Sequence, residues 1–183
     1  MSAVDTFYEE LADLLQEGST AVDKEGPALL TRLMQTPGAF ESLEFLPAAD
    51  KYTRNRVYIR GDGPVIYVME WPPGSVLMPH DHHDEFCFEY LLEGQLVITN
   101  WIAEPLSPED NTPERFNLKL HNTKIVEPGE TASVNRAVTD IHSVYAPVRT
   151  HTIHVYEHDH SSAFGFVRND DDSYTRTEFV LKH

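Results

Sequence analysis

The sequence predicts an all-β sandwich or barrel, of which the double-sheet jelly-roll barrel is one form, preceded by α-helices. Three observations carry this expectation. Helical periodicity is confined to the first fifty residues. From Lys51 onward the texture changes to short β-rich runs. Turn signals separate those runs at close spacing, the mark of a sandwich or barrel rather than of alternating helix and strand. A chain of 183 residues with 40% hydrophobic content is expected to form a single domain with a real core. Residues 1–49 are read as a helical cap and 50–183 as the barrel.

The first helix is expected to start at Thr6, where Thr6 and Glu9 have capping-box spacing. Phe7, Leu11, Leu14 and Leu15 fall on one face. Gly18 is a stop. Pro27 opens a second helix with Leu29, Leu30, Leu33 and Met34 as its apolar stripe. Pro37-Gly38 breaks it, and a short third helix is expected around Ala39 to Leu43. The strand runs are Arg56 to Arg60, Val65 to Trp71, Phe86 to Leu92, Leu96 to Trp101, Ile141 to Pro147, Thr150 to Glu157, Ala163 to Arg168 and Tyr174 to Leu181. Gly61-Asp62-Gly63 and Glu93-Gly94 read as hairpin turns. Glu104 to Asn122, with three prolines and mixed charge, reads as a loop.

Composition removes several classes of function. Thirty acidic and 14 basic side chains give a formal net charge of -16, which argues against nucleic acid and anionic membrane as partners. One cysteine permits neither an internal disulfide nor a cysteine-rich zinc site. No secretory signal is visible after Met1, and no apolar run approaches the ~20 residues of a spanning helix. A cytoplasmic protein, monomeric or a small homo-oligomer, is the expectation. Ten histidines are many for this length and point to metal chemistry.

The most informative segment runs from Gly74 to Gly94. His80 and His82, two apart on a strand, send both imidazoles to one side while Asp81 points away. Two neutral imidazoles on a rigid strand are half of a transition-metal site. A second such pair, His158 and His160, reads as a solvated strand end or loop. The spacing Gly74, His80, His82, Gly94 resembles the first cupin motif. The position of the usual glutamate ligand is occupied by Cys87, while Glu85 is two residues early and faces elsewhere.

That substitution makes the chain resemble the cysteine dioxygenase family of cupin thiol dioxygenases. Tyr52-Thr53-Arg54-Asn55 is similar to the family's substrate-anchoring segment. Trp71 lies upstream of the histidine pair, and Asp84 and Cys87-Phe88 follow it, as in that family. His142 is similar to the third iron ligand. His121 and His151 compete for that role, and the strand frame of Ile141 and Val144 favours His142. His154-Val155-Tyr156 resembles the family's Ser-x-His-x-Tyr relay, with Thr152 in place of serine. The chain departs from the pattern at Asp140 and Ala146, where the second cupin motif has glycine and asparagine, and at Glu157-His158, where the family has Ser-Pro.

The resemblance implies Fe(II) held by His80, His82 and His142, and a small thiol amino acid and O2 as the molecules taken. It implies oxidation of L-cysteine to cysteine sulfinic acid. Arg54 would anchor the substrate carboxylate, with Tyr52, Met69 and Leu77 around it. Tyr156, supported by His154 and Thr152, would orient substrate and oxygen, and Cys87 and Tyr156 can join as a thioether. Family members with glutamine at the anchor position are associated with 3-mercaptopropionate, so arginine favours L-cysteine; mercaptosuccinate would also suit it. A non-catalytic metal-binding cupin, and a zinc or nickel cupin with hydrolytic or isomerase chemistry, are the rival readings.

Overall fold

The protein is described by a computed structural model covering residues 2–40, 43–106, 114–134 and 136–181. Two helices come first, α1 (Ala3–Glu17) and α2 (Ser19–Gln35). The cap of α1 is Ser2 rather than Thr6. Its Oγ accepts from the Asp5 amide at 3.1 Å, and the Asp5 carboxylate accepts from the Ser2 amide at 3.0 Å. This is a complete capping box one turn earlier than Thr6 and Glu9 suggest, with the acidic partner at the positive helix end. Gly18, at φ 110°, ends α1 and begins α2 in one residue, a conformation glycine adopts without a steric cost. Pro27 therefore does not open α2 but lies inside it. Val22 and Gly26, both buried, hold the preceding turns against the sheet. A Cβ on Gly26 would come within 2.7 Å of the Phe88 ring, so this contact needs glycine. No third helix forms at Ala39, Phe40 or Leu43; residues 41–42 lie outside the described residues.

Eleven strands follow in the described residues: β1 (Thr53–Ile59), β2 (Val65–Trp71), β3 (Ser75–His80), β4 (Cys87–Glu93), β5 (Leu96–Pro105), β6 (Arg115–Val126), β7 (Thr131–Ser133), β8 (Ile141–Ala146), β9 (Thr150–Tyr156), β10 (Ser162–Arg168) and β11 (Tyr174–Val180). One sheet has the order β1-β2-β9-β4-β7, and the other six strands close on themselves as β10-β11-β6-β5-β8-β3. This is an all-β barrel with two N-terminal helices, as the sequence predicts. Two expectations need correction. Glu93-Gly94 is not a hairpin turn, because β4 pairs with β7 and β9 while β5 pairs with β6 and β8. The turn carries the chain from one sheet to the other. Gly94 sits at φ 90° with Thr150 Oγ1 2.3 Å from where a Cβ would be, so a side chain is excluded there. Glu104 to Asn122 is also mostly strand, since β5 reaches Pro105 and β6 begins at Arg115; residues 107–113 lie outside the described residues.

Alternation along three strands builds two apolar layers. Ile66 and Val68 of β2, Phe88 of β4, and Ile153 and Val155 of β9 pack against Phe7, Leu11, Leu29 and Leu30 of the helices. The opposite faces of the same strands look into the barrel, where Tyr67, Met69, Trp71 and Leu91 meet Leu96, Ile98, Val126 and Val144. Covered on both sides, β2 is buried at every position, as a central strand of a sandwiched sheet must be. The period of two then fixes which polar residues face inward with that second layer: Cys87 and Glu89 on β4, and Thr152, His154 and Tyr156 on β9.

Candidate metal centre and substrate pocket

His80 and His142 stand opposite each other on β3 and β8. His82 does not share a strand with His80, because β3 ends at His80. It lies at the start of a tight turn in which His83 and Asp84 both take positive φ, 56° and 60°. Asp140 holds that turn: its Oδ2 accepts from the His82 amide at 3.3 Å and the Asp84 amide at 3.1 Å. Asp81 points away and receives Arg176 Nη2 at 2.7 Å and Nε at 3.1 Å. The three imidazoles converge, with ring centroids 5.0, 4.7 and 4.6 Å apart and one nitrogen of each within 4.8 Å of the others.

The hydrogen bonds assign tautomers to two of them. His80 Nδ1 lies 2.9 Å from the Met78 carbonyl and His82 Nδ1 lies 2.9 Å from the Asp140 carbonyl. A carbonyl only accepts, so both Nδ1 atoms carry the proton and both Nε2 atoms keep a lone pair. Burial holds His80 neutral, lowering it to about 3, with the neighbouring His82 adding to the effect. Burial likewise pushes His82 and His142 down. Three neutral, convergent, buried imidazoles fit a divalent transition metal. His121 and His151 are not part of this group. His121 is exposed on β6, and His151 is engaged by Glu70 and Glu93 and stacks on Phe45.

The same pocket is lined by Tyr52, Arg54, Met69, Leu77, His154 and Tyr156. Tyr52 stacks on Trp71 with centroids 4.9 Å apart. Arg54 is only 2% exposed. Its Nη1 donates to the His160 carbonyl at 3.3 Å, and its Cζ sits 4.1 Å from the Tyr67 ring centroid and 5.3 Å from that of Tyr156. Its Nε and Nη2 are buried with no hydrogen-bond partner among the described residues. Those two N–H groups form the edge of the guanidinium plane that receives a carboxylate through two parallel bonds. A buried cation left short of two acceptors costs several kcal/mol, which an anionic ligand relieves.

Behind the pocket runs a buried polar chain. Trp71 Nε1 donates to Thr152 Oγ1 at 2.9 Å, and Thr152 Oγ1 meets His154 Nε2 at 2.8 Å. His154 Nδ1 faces the Tyr156 hydroxyl at 3.5 Å and Glu89 Oε2 at 3.4 Å. Cys87 is the direct cross-strand partner of Tyr156. Burial raises both the Cys87 thiol and the Tyr156 phenol well above their usual values, so both are neutral near pH 7. Burial likewise lowers His154 to about 3 and raises Glu89 to about 8, the latter offset in part by Lys124. All eleven residues expected at the site are thus brought together, with Cys87 and Thr152 behind the pocket wall rather than on it.

Sequence reasoning missed two members of this constellation. Glu89 is a charged residue two positions from Cys87 on a strand, so the period of two already aims it inward. Tyr67 alternates with Met69 and Trp71 in the same way, and its ring covers the Arg54 guanidinium. Its hydroxyl bonds to Asp159, which also pairs with Arg56.

A family model described as cysteine dioxygenase type I matches residues 9–157. Among solved structures, the chain is similar to a cupin superfamily protein from Desulfitobacterium hafniense DCB-2 at 12% identity. That alignment covers 62% of this chain and 84% of that one, with a TM-score of 0.45. It is also similar to KdgF from a Halomonas species at 13% identity, covering 64% and 90% of the two chains with a TM-score of 0.45.

Proposed function

The chain belongs to the cysteine dioxygenase type I family, and we propose that it is an iron-dependent dioxygenase converting L-cysteine and O2 to cysteine sulfinic acid. Both oxygen atoms enter the product, sulfur gives up four electrons and O2 accepts them. His80, His82 and His142 would hold the iron. When bound, an iron ion supplies thiol activation and the redox chemistry, and three neutral ligands leave its charge uncompensated for a thiolate.

The observation that carries this reading is the unpartnered Nε–Nη2 edge of Arg54 in the same pocket as three neutral imidazoles. It calls for one carboxylate. Among the described residues lining that pocket Arg54 is the only lysine or arginine, so a second carboxylate, as in mercaptosuccinate, would lack a cation. In this reading Tyr52, Met69 and Leu77 shape the wall. His154, held by Thr152, positions the Tyr156 hydroxyl beside the substrate. Cys87 is the cross-strand partner of Tyr156, which supports a thioether between its sulfur and the Tyr156 ring in this reading. The chain acts as one cupin domain in the cytoplasm. Within the described residues no helix is long and apolar enough to cross a membrane.

Oxygen uptake by the iron-loaded protein, with sulfinate detection, tests the proposal. L-cysteine should be consumed with one O2 per sulfinate, and faster than 3-mercaptopropionate or mercaptosuccinate. Absence of uptake with all three thiols would refute the reading. Faster turnover of another thiol would keep the chemistry and change the substrate.

A further inference from the structure

His158 and His160, left over from the metal centre, meet a third ligand type at the pocket mouth. His160 Nε2 lies 2.6 Å from Glu85 Oε2, and His158 Nδ1 lies 3.0 Å from the same oxygen. One ligand atom from each of the three residues falls within 4.8 Å of the others. This cluster shares no residue with His80, His82 and His142. We propose that Glu85, His158 and His160 form a second metal site, taking a divalent ion of the zinc class with water in its remaining positions.

Two imidazole nitrogens and one carboxylate oxygen are a donor set that suits zinc and its neighbours. Metal–ligand bonds of about 2.0–2.2 Å place tetrahedral donors roughly 3.3–3.5 Å apart. The two histidine nitrogens stand 2.6 and 3.0 Å from the Glu85 oxygen and within 4.8 Å of each other. Ligation therefore needs an outward movement at Glu85 and a change of tautomer at both imidazoles, whose bonded nitrogens now carry the protons that the carboxylate accepts. The Glu85 carboxyl is held below its usual range: burial opposes this, but the two histidine hydrogen bonds outweigh it. The side chains of His158 and Glu85 are 51% and 24% exposed, so an ion can enter from solvent without opening the pocket.

The location gives the site a consequence. Glu85 ends the turn that begins at His82, and His158 and His160 belong to the loop between β9 and β10. The carbonyl of His160 is the one protein acceptor bonded to Arg54 among the described residues. An ion at this site would therefore fasten the loop behind the anchoring arginine to the turn beside the metal centre.

Zinc stoichiometry tests the inference with no need for turnover. Full-length protein, dialysed against Zn²⁺ and analysed for bound metal, should hold two zinc ions per chain. His158→Ala should hold one at the same free zinc, with affinity for the second ion lowered at least about tenfold. His158 is exposed, so this change does not threaten folding, and Glu85→Gln should act in the same direction. Amides of residues 157–161 should exchange more slowly when the second ion is bound to the unsubstituted chain. A zinc count that is the same in the unsubstituted chain and in both variants would overturn the proposal. Dioxygenase activity does not enter the measurement, so its absence would leave this result untouched.

Discussion

Replacing Glu89 with glutamine isolates one buried carboxyl and makes stability, not activity, the readout. Glu89 is 2% exposed on the inward face of β4. The titratable groups around it are Cys87, His154, Tyr156 and Lys124. Burial raises its pKa from 4.5 to about 8. Between these values the folded chain binds a proton that the unfolded chain has released, so folding stability falls as pH rises through the window. The slope is about 1.36 kcal/mol per pH unit. From pH 5.5 to 7.5 the loss traceable to Glu89 is about 2.7 kcal/mol. Glutamine has the same shape and stays neutral. The stability difference, Glu89→Gln minus the unsubstituted chain, should therefore grow by about 2–3 kcal/mol over that interval. Urea unfolding of both proteins at the two pH values, with metal loading matched, gives this double difference, and other titrating groups cancel in it. Parallel pH profiles would refute the argument that Glu89 is protonated in the folded state.

Three other predictions concern the anchor, the cysteine–tyrosine pair and the α2 contact. Arg54→Ala should lower kcat/KM for L-cysteine by about 2–5 kcal/mol, roughly 30- to 5,000-fold, while iron content by metal analysis stays unchanged; full turnover would remove Arg54 as the carboxylate anchor. Aerobic turnover of the iron-loaded protein should yield a fraction lighter by two hydrogen atoms. The thiol S–H and a Tyr156 ring C–H are replaced by one S–C bond with O2 as oxidant, and Cys87→Ser should abolish this mass in intact mass spectra. Arg136 reaches Asp23 on α2 at 2.7 Å, the Ser19 carbonyl at 3.2 Å and the Asp84 carbonyl at 3.1 Å. Arg136→Met should cost about 1 kcal/mol in urea unfolding by removing its bonds to Asp23 and to the two carbonyls; an unchanged midpoint would mean that this link does not hold the helices to the sheet.

Legibility in the sequence mostly follows burial, although β11 was read from its β-prone residues with no position fully buried. β2, β4, β8 and β9 alternate or run continuously apolar because one or both faces meet a core layer. β6 was not legible, since most of its length is exposed on both faces and its pattern carries no burial signal. β3 was hidden for a different reason. Val76 and Met78 point to solvent, and Pro79 coincides with a shift of register between Leu77 and His80, where a bulge tolerates the missing amide. The helical starts were misplaced because propensity signals at Thr6 and Pro27 are local, while tertiary contacts of Val22, Gly26 and Phe88 decide where the chain stays helical. In the site, the histidine spacing was legible but its geometry was not. His82 reaches the centre through left-handed backbone at His83 and Asp84, which alternation cannot anticipate.

The departures at the second motif have a physical role. Asp140, standing where a cupin has glycine, supplies a carboxylate to the turn carrying His82 and a carbonyl to His82 Nδ1. Ala146, standing where a cupin has asparagine, is fully buried and its carbonyl accepts from Gly74 at 2.7 Å, closing the turn that opens the first motif. Polarity is divided across the sheet. Arg54 and Glu89 occupy buried positions that an ordinary core would give to aliphatic side chains, and each costs stability there. Thr152 and His154 are equally buried but bond to each other. The helix-facing layer of Phe88, Ile153 and Val155, packed against α1 and α2, contributes stability on the other side of the same strands.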